Sequence, residues 1–460
     1  MAVSLAVRAR RSPAAPCVRC SASPPGPADR SLCRPLTRGV SGPVLIVPRP
    51  GVAVLTKDLL EAVTTLYVDL HAHPELSGEE ERTAARFADW LTAEGFRVTA
   101  GVGGHGVVGV LENGAGPLVA LRAELDALPV RERTGLPYAS RVTAPVPVMH
   151  ACGHDLHLAA AAGAASVLAR DRGRWRGTLM LIGQPAEETL SGARAMLDDG
   201  LHERFGRPDA VLAQHSAPLP AGMVAHGAGP VTAGGVTLRA VIHGRGGHAA
   251  VPHLAVDPVV TAAATVLRLQ GVVAAETAPA EQVVLTVGEL RAGDRANVVP
   301  DRAELGLTVR GFSEDALDRV CAAVDRIVRA ECAASACPAP PEITVVNRSP
   351  VNLPDPGLTA AVREAHEAAF GGPRVAAWPP AMATEDFPLF AADGVPTAYW
   401  MLGTAGPRAW AAAPGTTAAE KLAALPPNHS PLFAPHVRIA LPTGVTALVT
   451  AALCGLGSPG

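Results

Sequence analysis

Three strand-like runs in the first half of the chain each lead to a cluster of polar residues. The runs, with the polar residues that follow them, are 118–122 (Glu124, Asp126), 178–182 (Glu187, Glu188) and 209–213 (Gln214, His215). Polar side chains that converge at the ends of neighbouring strands are what an open α/β sheet offers to a ligand. The pattern therefore predicts an α/β fold with a functional site at one edge of a sheet.

A second unit begins near Pro230. Its strand patterns lie at 236–243, 281–290, 303–312 and 343–347, and its helix patterns lie at 254–274 and 313–334, with Ser313 as an N-cap. This β-α-β-β-α-β order predicts a compact two-layer sandwich. Because the helix and strand patterns of the first unit resume after Pro350, the sandwich looks inserted. We therefore predict a discontinuous mixed-sheet domain at 55–229 and 345–456, and a lid or dimerisation domain at 230–344.

Two local patterns add detail to this organisation. Ser77 and Glu80 have the spacing of a capping box that starts an amphipathic helix ending near Glu94. Residues 405–427 are rich in Ala and Pro, which favours a surface loop.

The stretch 150–157, His-Ala-Cys-Gly-His-Asp-Leu-His, combines one thiol, three imidazoles and one carboxylate. A hydrophobic core does not need that mixture, whereas zinc accepts sulfur, nitrogen and oxygen ligands together. The adjacent acids Glu187 and Glu188 could divide the work near a metal, one as a ligand and one as a proton carrier. A single His or Cys is more often an ordinary structural residue, but the cluster and the acid pair together favour a metal site.

Five side chains are the candidate metal donors: Cys152, His154, Glu188, His215 and His429. Five donors are too few for two closed four-coordinate sites unless one or more of them bridge. The number therefore favours a two-metal site with open positions, which is a catalytic arrangement. We interpret His71 and His73 as structural residues.

The second unit carries polar residues of its own. His248 lies in the Gly-rich segment 244–253, Asn297 precedes a strand, and Arg310 ends one. Such side chains could hold an oxyanion or a substrate carboxylate. The alternative is a Gly-rich turn with ordinary surface polar groups.

Charge and composition exclude other classes of partner. The net charge is −3, so we expect neither a nucleic acid nor a membrane as partner, and no apolar run reaches the length of a membrane span. The eight Cys have no framework spacing, and we interpret Cys17 and Cys20 as incidental, which suits a reducing cytoplasm. Residues 1–52 contain eight Arg and one acid, and we interpret them as a disordered or artefactual tail, with an organelle transit peptide as the alternative.

The assembled motifs closely resemble an amidohydrolase family. That family contains hippurate hydrolases, N-acyl-L-amino acid amidohydrolases and auxin-conjugate hydrolases, within the aminoacylase and carboxypeptidase-like metallopeptidase superfamily. The resemblance extends from about Leu59 to Leu453. The motifs that carry it lie at 71–76, 122–129, 150–155, 184–188, 246–253, 385–387 and 429–433.

The resemblance implies a two-domain metallopeptidase-like fold with two divalent metal ions per subunit, usually zinc or manganese. It assigns Cys152 as the bridging ligand, and the other ligands are His154, Glu188, His215 and His429. Glu187 becomes the general base, and Asp126 would orient a ligand imidazole. The residues implied to grip the substrate from the lid are His248, Asn297 and Arg310.

From this resemblance we expect a cytoplasmic, homodimeric amidohydrolase that cleaves small N-acyl-amino acids, with the lid forming the dimer contact. A dipeptidase or carboxypeptidase on the same scaffold is one alternative. A non-catalytic metal-binding dimer is another, although Glu187 argues against it, because such a protein would need no base. The sequence leaves open the acyl group, the metal, and whether His248 acts within its own chain or across the dimer.

Overall fold

A computed structural model describes residues 55–458. The predicted tail at 1–52, with Cys17 and Cys20, lies outside this range. The helices within it are α1 Lys57–Ala72, α2 Glu81–Ala93, α3 His154–Arg170, α4 Gly192–Asp198, α5 Leu201–Phe205, α6 Pro258–Leu269, α7 Val272–Glu276, α8 Glu314–Ala334, α9 Pro356–Phe370, α10 Pro407–Ala412, α11 Ala418–Ala424 and α12 Val437–Gly455. The strands are β1 Arg97–Val102, β2 Gly106–Asn113, β3 Leu118–Glu124, β4 Gly177–Gln184, β5 Ala210–Pro220, β6 Val224–Gly227, β7 Gly234–His243, β8 Gly247–His248, β9 Val283–Ala292, β10 Val298–Val299, β11 Arg302–Gly311, β12 Glu342–Ser349, β13 Val375–Trp378 and β14 Thr397–Ala405.

The larger sheet has eight strands in the order β1-β2-β4-β3-β5-β14-β6-β13. Its centre is parallel, because β4, β3, β5 and β14 pair in parallel, while β1–β2, β2–β4 and β14–β6 pair antiparallel. The central strands are buried along almost their whole length, as expected for parallel strands covered on both faces. The predicted mixed-sheet α/β fold is confirmed.

The Ala-rich helix α3 and the C-terminal helix α12 pack together beside this sheet. A Cβ atom at Gly163 of α3 would lie 2.7 Å from the Val445 side chain of α12, so the small residue allows the close crossing. By length and composition α12 could also cross a membrane, which corrects the expectation that no stretch reaches that length. Its packing against α3, β5 and β14 is that of a core helix.

The smaller sheet has four antiparallel strands in the order β12-β7-β11-β9. Helices α6 and α8 pack on it around an apolar cluster that includes Leu238, Leu305 and Val320. The β-α-β-β-α-β order is as predicted, except that the helix expected at 254–274 begins at Pro258 and is divided into α6 and α7. Ser313 caps α8 as predicted, since its Oγ accepts a hydrogen bond from the Ala316 N–H at 3.3 Å.

Two local predictions are wrong. Ser77 does not cap α2, which begins at Glu81; the N–H groups of Arg82 and Thr83 instead donate to the Glu75 carboxylate, at 3.0 and 2.7 Å. The predicted surface loop at 405–427 contains the helices α10 and α11. Pro407 opens the first of them, where its fixed φ suits a helix start, and a Thr417–Glu420 capping box opens the second.

Candidate metal centre

The candidate metal centre lies where strands β3, β4 and β5 approach the N-terminus of α3. Cys152 and His154 flank Gly153, which has a φ of +85°. A Cβ atom at Gly153 would lie 2.7 Å from the Ser216 Oγ, so only glycine suits both the backbone conformation and the available space. This tight turn places Cys152 near His215 of β5. His215 lies in the middle of that strand, not after it as predicted.

The structure brings all five predicted donors together. The Cys152 Sγ lies 3.4 Å from the His215 Nε2. The Glu188 carboxylate lies between two imidazoles, 3.8 Å from the His154 Nε2 and 3.4 Å from the His429 Nε2. The ligand atoms of Cys152, His154 and Glu188 all lie within 4.8 Å of one another, which is the spacing of ligands around a single ion.

Two of these ligand atoms are buried without a hydrogen-bond partner among residues 55–458: the His154 Nε2 and the Glu188 Oε1. A buried polar atom without a partner normally costs about 1–3 kcal/mol. A cation between the two atoms would satisfy both. The sulfur, nitrogen and oxygen donors therefore fit a borderline-soft divalent metal such as zinc.

Asp126 contacts two of the candidate donors, His154 and Glu188. The His154 Nδ1 lies 2.9 Å from the backbone oxygen of Asp126 and 3.1 Å from the Asp126 Oδ1. The ring therefore donates from Nδ1 and leaves Nε2 for a metal. The Oδ2 of Asp126 accepts hydrogen bonds from the Glu188 N–H at 2.9 Å and from the Ser77 hydroxyl at 2.7 Å. Burial alone would raise the pKa of Asp126, but the hydrogen bond from His154 lowers it below its usual value.

Glu187 lies beside the donors, with its Oε2 3.7 Å from the His154 Nε2. Burial, and then the charges of Glu385 and Glu188, raise its pKa well above the usual value. Its loop is held between Ala186 and Leu190, with φ values of 49° and 54°. Left-handed residues other than glycine cost about 1–3 kcal/mol, and such strain occurs mainly at functional sites.

The thiol and the ligand carboxylate need positive charge nearby to ionise fully. Burial, followed by the charge of Glu188, raises the pKa of Cys152 to about 12. Burial raises the pKa of Glu188 to about 7. A divalent cation favours the ionised form of both groups.

The sequence interpretation gave no role to His157, although the residue belongs to the 150–157 stretch. The Ser216 N–H donates to its Nε2 at 2.7 Å, so the proton lies on Nδ1, which donates to Glu124 at 2.8 Å. The His157 ring packs 4.8 Å from the His215 ring. Both ring nitrogens are therefore occupied, and His157 supports a ligand rather than acting as one.

A second buried network, of hydrogen bonds and ion pairs, surrounds the Arg122 side chain. The Arg122 guanidinium bonds Glu124, Gln184, Glu385 and Asp386, with 2.7 Å to Glu385 and 3.1 Å to Asp386. These acids surround a permanent cation, so the proximity of Glu187, Glu385 and Asp386 does not indicate another metal site. The motifs at 122–129 and 385–387 contained the signal, but nothing in the sequence showed that they meet.

The three functional residues predicted in the second unit, His248 as a catalytic group and Asn297 and Arg310 as substrate-binding groups, do not lie together. Arg310 lines a cavity of about 340 Å³ together with Glu187 and four of the five candidate donors: Cys152, Glu188, His215 and His429. His248 and Asn297 are exposed and line a different cavity, of about 710 Å³. No described contact within residues 55–458 joins these two residues to the donor cluster.

The fold and the site together define a class of protein, one with a mixed α/β sheet and a cluster of Cys, His and Glu side chains spaced to hold a metal ion. Residues 120–424 match the family model described as Peptidase family M20/M25/M40. The chain belongs to this family, and the prediction of a metallopeptidase-like hydrolase is confirmed.

Relatives and solved structures agree with this assignment. The chain is 35% identical over 337 residues to "IAA-amino acid hydrolase ILR1-like 2" of Arabidopsis thaliana, covering 73% of this chain and 75% of the relative. It is 34% identical over 344 residues to "N-acetyl-L-cysteine deacetylase" of Bacillus subtilis, covering 74% and 80%. A solved Bacillus subtilis structure, described as a dinuclear metal-binding peptidase from the M20 family, has a TM-score of 0.68 and 29% identity, covering 87% of this chain and 99% of that one.

Proposed function

We propose that this protein is a metal-dependent amidohydrolase that cleaves N-acyl-amino acids into a carboxylate and an amino acid. The observation that carries the proposal is the position of Glu187. This buried acid is not needed as a ligand, and it lies 3.7 Å from an imidazole whose free nitrogen faces the other donors. Relatives named for IAA-amino acids and N-acetyl-L-cysteine support the class of substrate.

Two divalent ions, zinc or manganese, would be held in the proposed centre by Cys152, His154, Glu188, His215 and His429. Ions bound there would polarise the amide carbonyl and lower the pKa of a bound water. Glu187 accepts a proton from the attacking water and passes it to the leaving amine nitrogen. Asp126 keeps His154 and Glu188 in place through both proton transfers.

Arg310 is the proposed carboxylate-binding residue. It lines the cavity that is also lined by Glu187 and four of the five candidate donors, and its Nη1 donates to the Met382 backbone oxygen at 2.9 Å. A guanidinium has five donors, so this one bond fixes the side chain and still allows two-point contact with a carboxylate. An N-acyl-amino acid presents one carboxylate, which matches one Arg.

We also propose that the inserted unit, predicted at 230–344 and extended to Ser349 because β12 pairs with β7, forms a lid and dimerisation domain, through which His248 and Asn297 reach the centre of the partner subunit. Two features support this. Helix α6 exposes Val260 and Leu267, and strand β9, at the edge of the smaller sheet, exposes Val284 and Leu290. An apolar helix face beside a free strand edge is a suitable surface for a symmetric dimer. The free thiols among the described residues support a cytoplasmic location.

Hydrolysis assays test the proposal. The purified protein should release the amino acid from hippurate or N-acetyl-amino acids, lose this activity with a chelator, and regain it with zinc or manganese. Hydrolysis of dipeptides alone would instead favour the dipeptidase alternative. Bound metal without hydrolysis of any substrate would favour the non-catalytic metal-binding dimer.

A further inference from the structure

The side-chain amide of Asn428 lies against Cys152 and Ser216, at the candidate metal centre. Its Nδ2 is 3.1 Å from the Cys152 backbone oxygen, 3.2 Å from the Ser216 backbone oxygen, 3.0 Å from the Ser216 Oγ and 3.7 Å from the Cys152 Sγ. Both backbone oxygens can only accept hydrogen bonds. The amide nitrogen, not the amide oxygen, must therefore face this cluster, and it also faces the sulfur as a donor.

This one amide joins three segments that carry proposed ligands. Cys152 precedes α3, Ser216 follows His215 on β5, and Asn428 itself precedes His429. Two further hydrogen bonds close the arrangement. The Ser216 hydroxyl donates to the Cys152 oxygen at 2.6 Å, and the His429 N–H donates to the Ala151 oxygen at 2.8 Å.

The contact with the sulfur differs in kind from the other three. The contacts with backbone and hydroxyl oxygens fix the spacing of the segments. An N–H donor that faces a thiolate withdraws electron density from the sulfur, and so changes how strongly the sulfur donates to a metal.

We infer that Asn428 is a positioning residue, whose amide donates to the Cys152 sulfur and thereby sets both its position and its electron donation toward the bound metal. The inference rests on the proposed metal centre. It assigns a role to a residue that binds no metal and moves no proton. Replacing a residue that supports a metal ligand in this way typically lowers metal affinity about 10- to 100-fold.

Cobalt-substituted enzyme provides a direct test, because a thiolate bound to Co²⁺ gives a sulfur-to-metal charge-transfer band. In Asn428→Ala the sulfur loses its donor, so its electrons are held less tightly and the band should move to longer wavelength. The affinity for Zn²⁺, measured by competition with a chelator, should fall about 10- to 100-fold.

Ser216→Ala is the matched control. It removes the hydroxyl that bonds Asn428 and the Cys152 oxygen, but it leaves the N–H group facing the sulfur. Its charge-transfer band should keep the wild-type position. An equal shift in both variants would show that Asn428 only braces the backbone, and an unshifted band in Asn428→Ala would also overturn the inference.

Two more variants complete the design. Asn428→Asp keeps the shape of the side chain and places an oxygen against the sulfur, so it should shift the band further and serves if the Ala variant does not fold. Cys152→Ala should have no band at all. A wild-type enzyme that lacks the band, or a Cys152→Ala enzyme that keeps it, would contradict the proposed metal centre itself rather than the role of Asn428 alone.

Discussion

Glu187 and Glu188 are neighbours in the chain but face different surroundings. The backbone N–H of Glu188 is fixed by Asp126, and its two carboxylate oxygens face His154 and His429. Burial raises the pKa of both acids, but the next-largest influence is the charge of Glu385 on Glu187, which raises its pKa further, and the charge of His154 on Glu188, which lowers its pKa. Different environments let two adjacent acids take different roles, one as a ligand and one as a proton carrier.

The first prediction concerns this division of roles. Glu187→Gln should lower kcat about 10²- to 10⁴-fold, because the base is lost, while metal content by elemental analysis stays at the wild-type level. Glu188→Gln is the matched control and should lower metal content. Near-wild-type turnover in Glu187→Gln would remove Glu187 from the mechanism.

The second prediction concerns His71, which the structure shows as a buried ion-pair partner, in agreement with its structural interpretation. Its Nδ1 lies 2.7 Å from Asp155 and its Nε2 lies 3.2 Å from Glu132. Burial would lower its pKa, but hydrogen bonds with Asp155 and Glu132 raise the pKa to about 9. The ion pairs of His71 with these two acids should therefore contribute about 3 kcal/mol to the free energy of unfolding below pH 6.5. This contribution should be lost as the pH rises to about 9.

An NMR pH titration of the His71 ring measures this directly. The midpoint should lie near pH 9 in the wild type, and it should fall in Glu132→Gln, which removes one charge and keeps the shape. A wild-type midpoint near 6.5, the usual value for histidine, would contradict this account of the ion pair.

At the scale of elements, the Arg122 network joins β3 to the loop that follows β13. Arg122→Met should lower the free energy of unfolding by about 3–5 kcal/mol, because Glu124, Glu385 and Asp386 are left buried without their cation. Arg97→Met is the control. Its ion pair with Glu112 is exposed, so the change should cost about 0–1 kcal/mol. Equal losses in denaturant unfolding of the two variants would refute the role of the network.

Periodicity in the sequence predicted the elements but not their partners. Continuous apolar runs located β3 and β4, and a helical pattern located α8, since burial imposes those patterns directly. Ser77 has the spacing of a helix cap, yet its hydroxyl bonds Asp126, 49 residues away. A local pattern cannot reveal a long-range competitor for the same hydroxyl.

The candidate site shows the same limit. Its metal donors were predicted because Cys, His and paired acids together are rare except at metal sites. The supporting residues were not predicted, because Arg122 and Glu385 are 263 residues apart and meet only in the folded sheet. The predicted roles of His248 and Asn297 stay predictions, because those residues lie in a cavity apart from the donors.

At the scale of the whole molecule, the position of His248 bears on whether one subunit completes the active site of the other. If the lid of one subunit completes the site of the other, His248→Ala should lower kcat about 10²- to 10³-fold, the usual value of an oxyanion donor, and keep its metals. Mixed dimers of His248→Ala and Glu187→Gln should then regain activity, because one of their two sites has both groups intact. Demonstrated subunit exchange without regained activity would refute action across the dimer.

The most direct measurement of the central claim is a metal titration of the chelator-stripped protein, with hippurate or an N-acetyl-amino acid as substrate. The account predicts that hydrolysis rises with added zinc or manganese and reaches its maximum at two equivalents per chain, with Cys152→Ala taking up fewer. Full hydrolysis by the stripped protein, or metal uptake unaffected by loss of Cys152, would contradict a metal-dependent amidohydrolase centred on these residues.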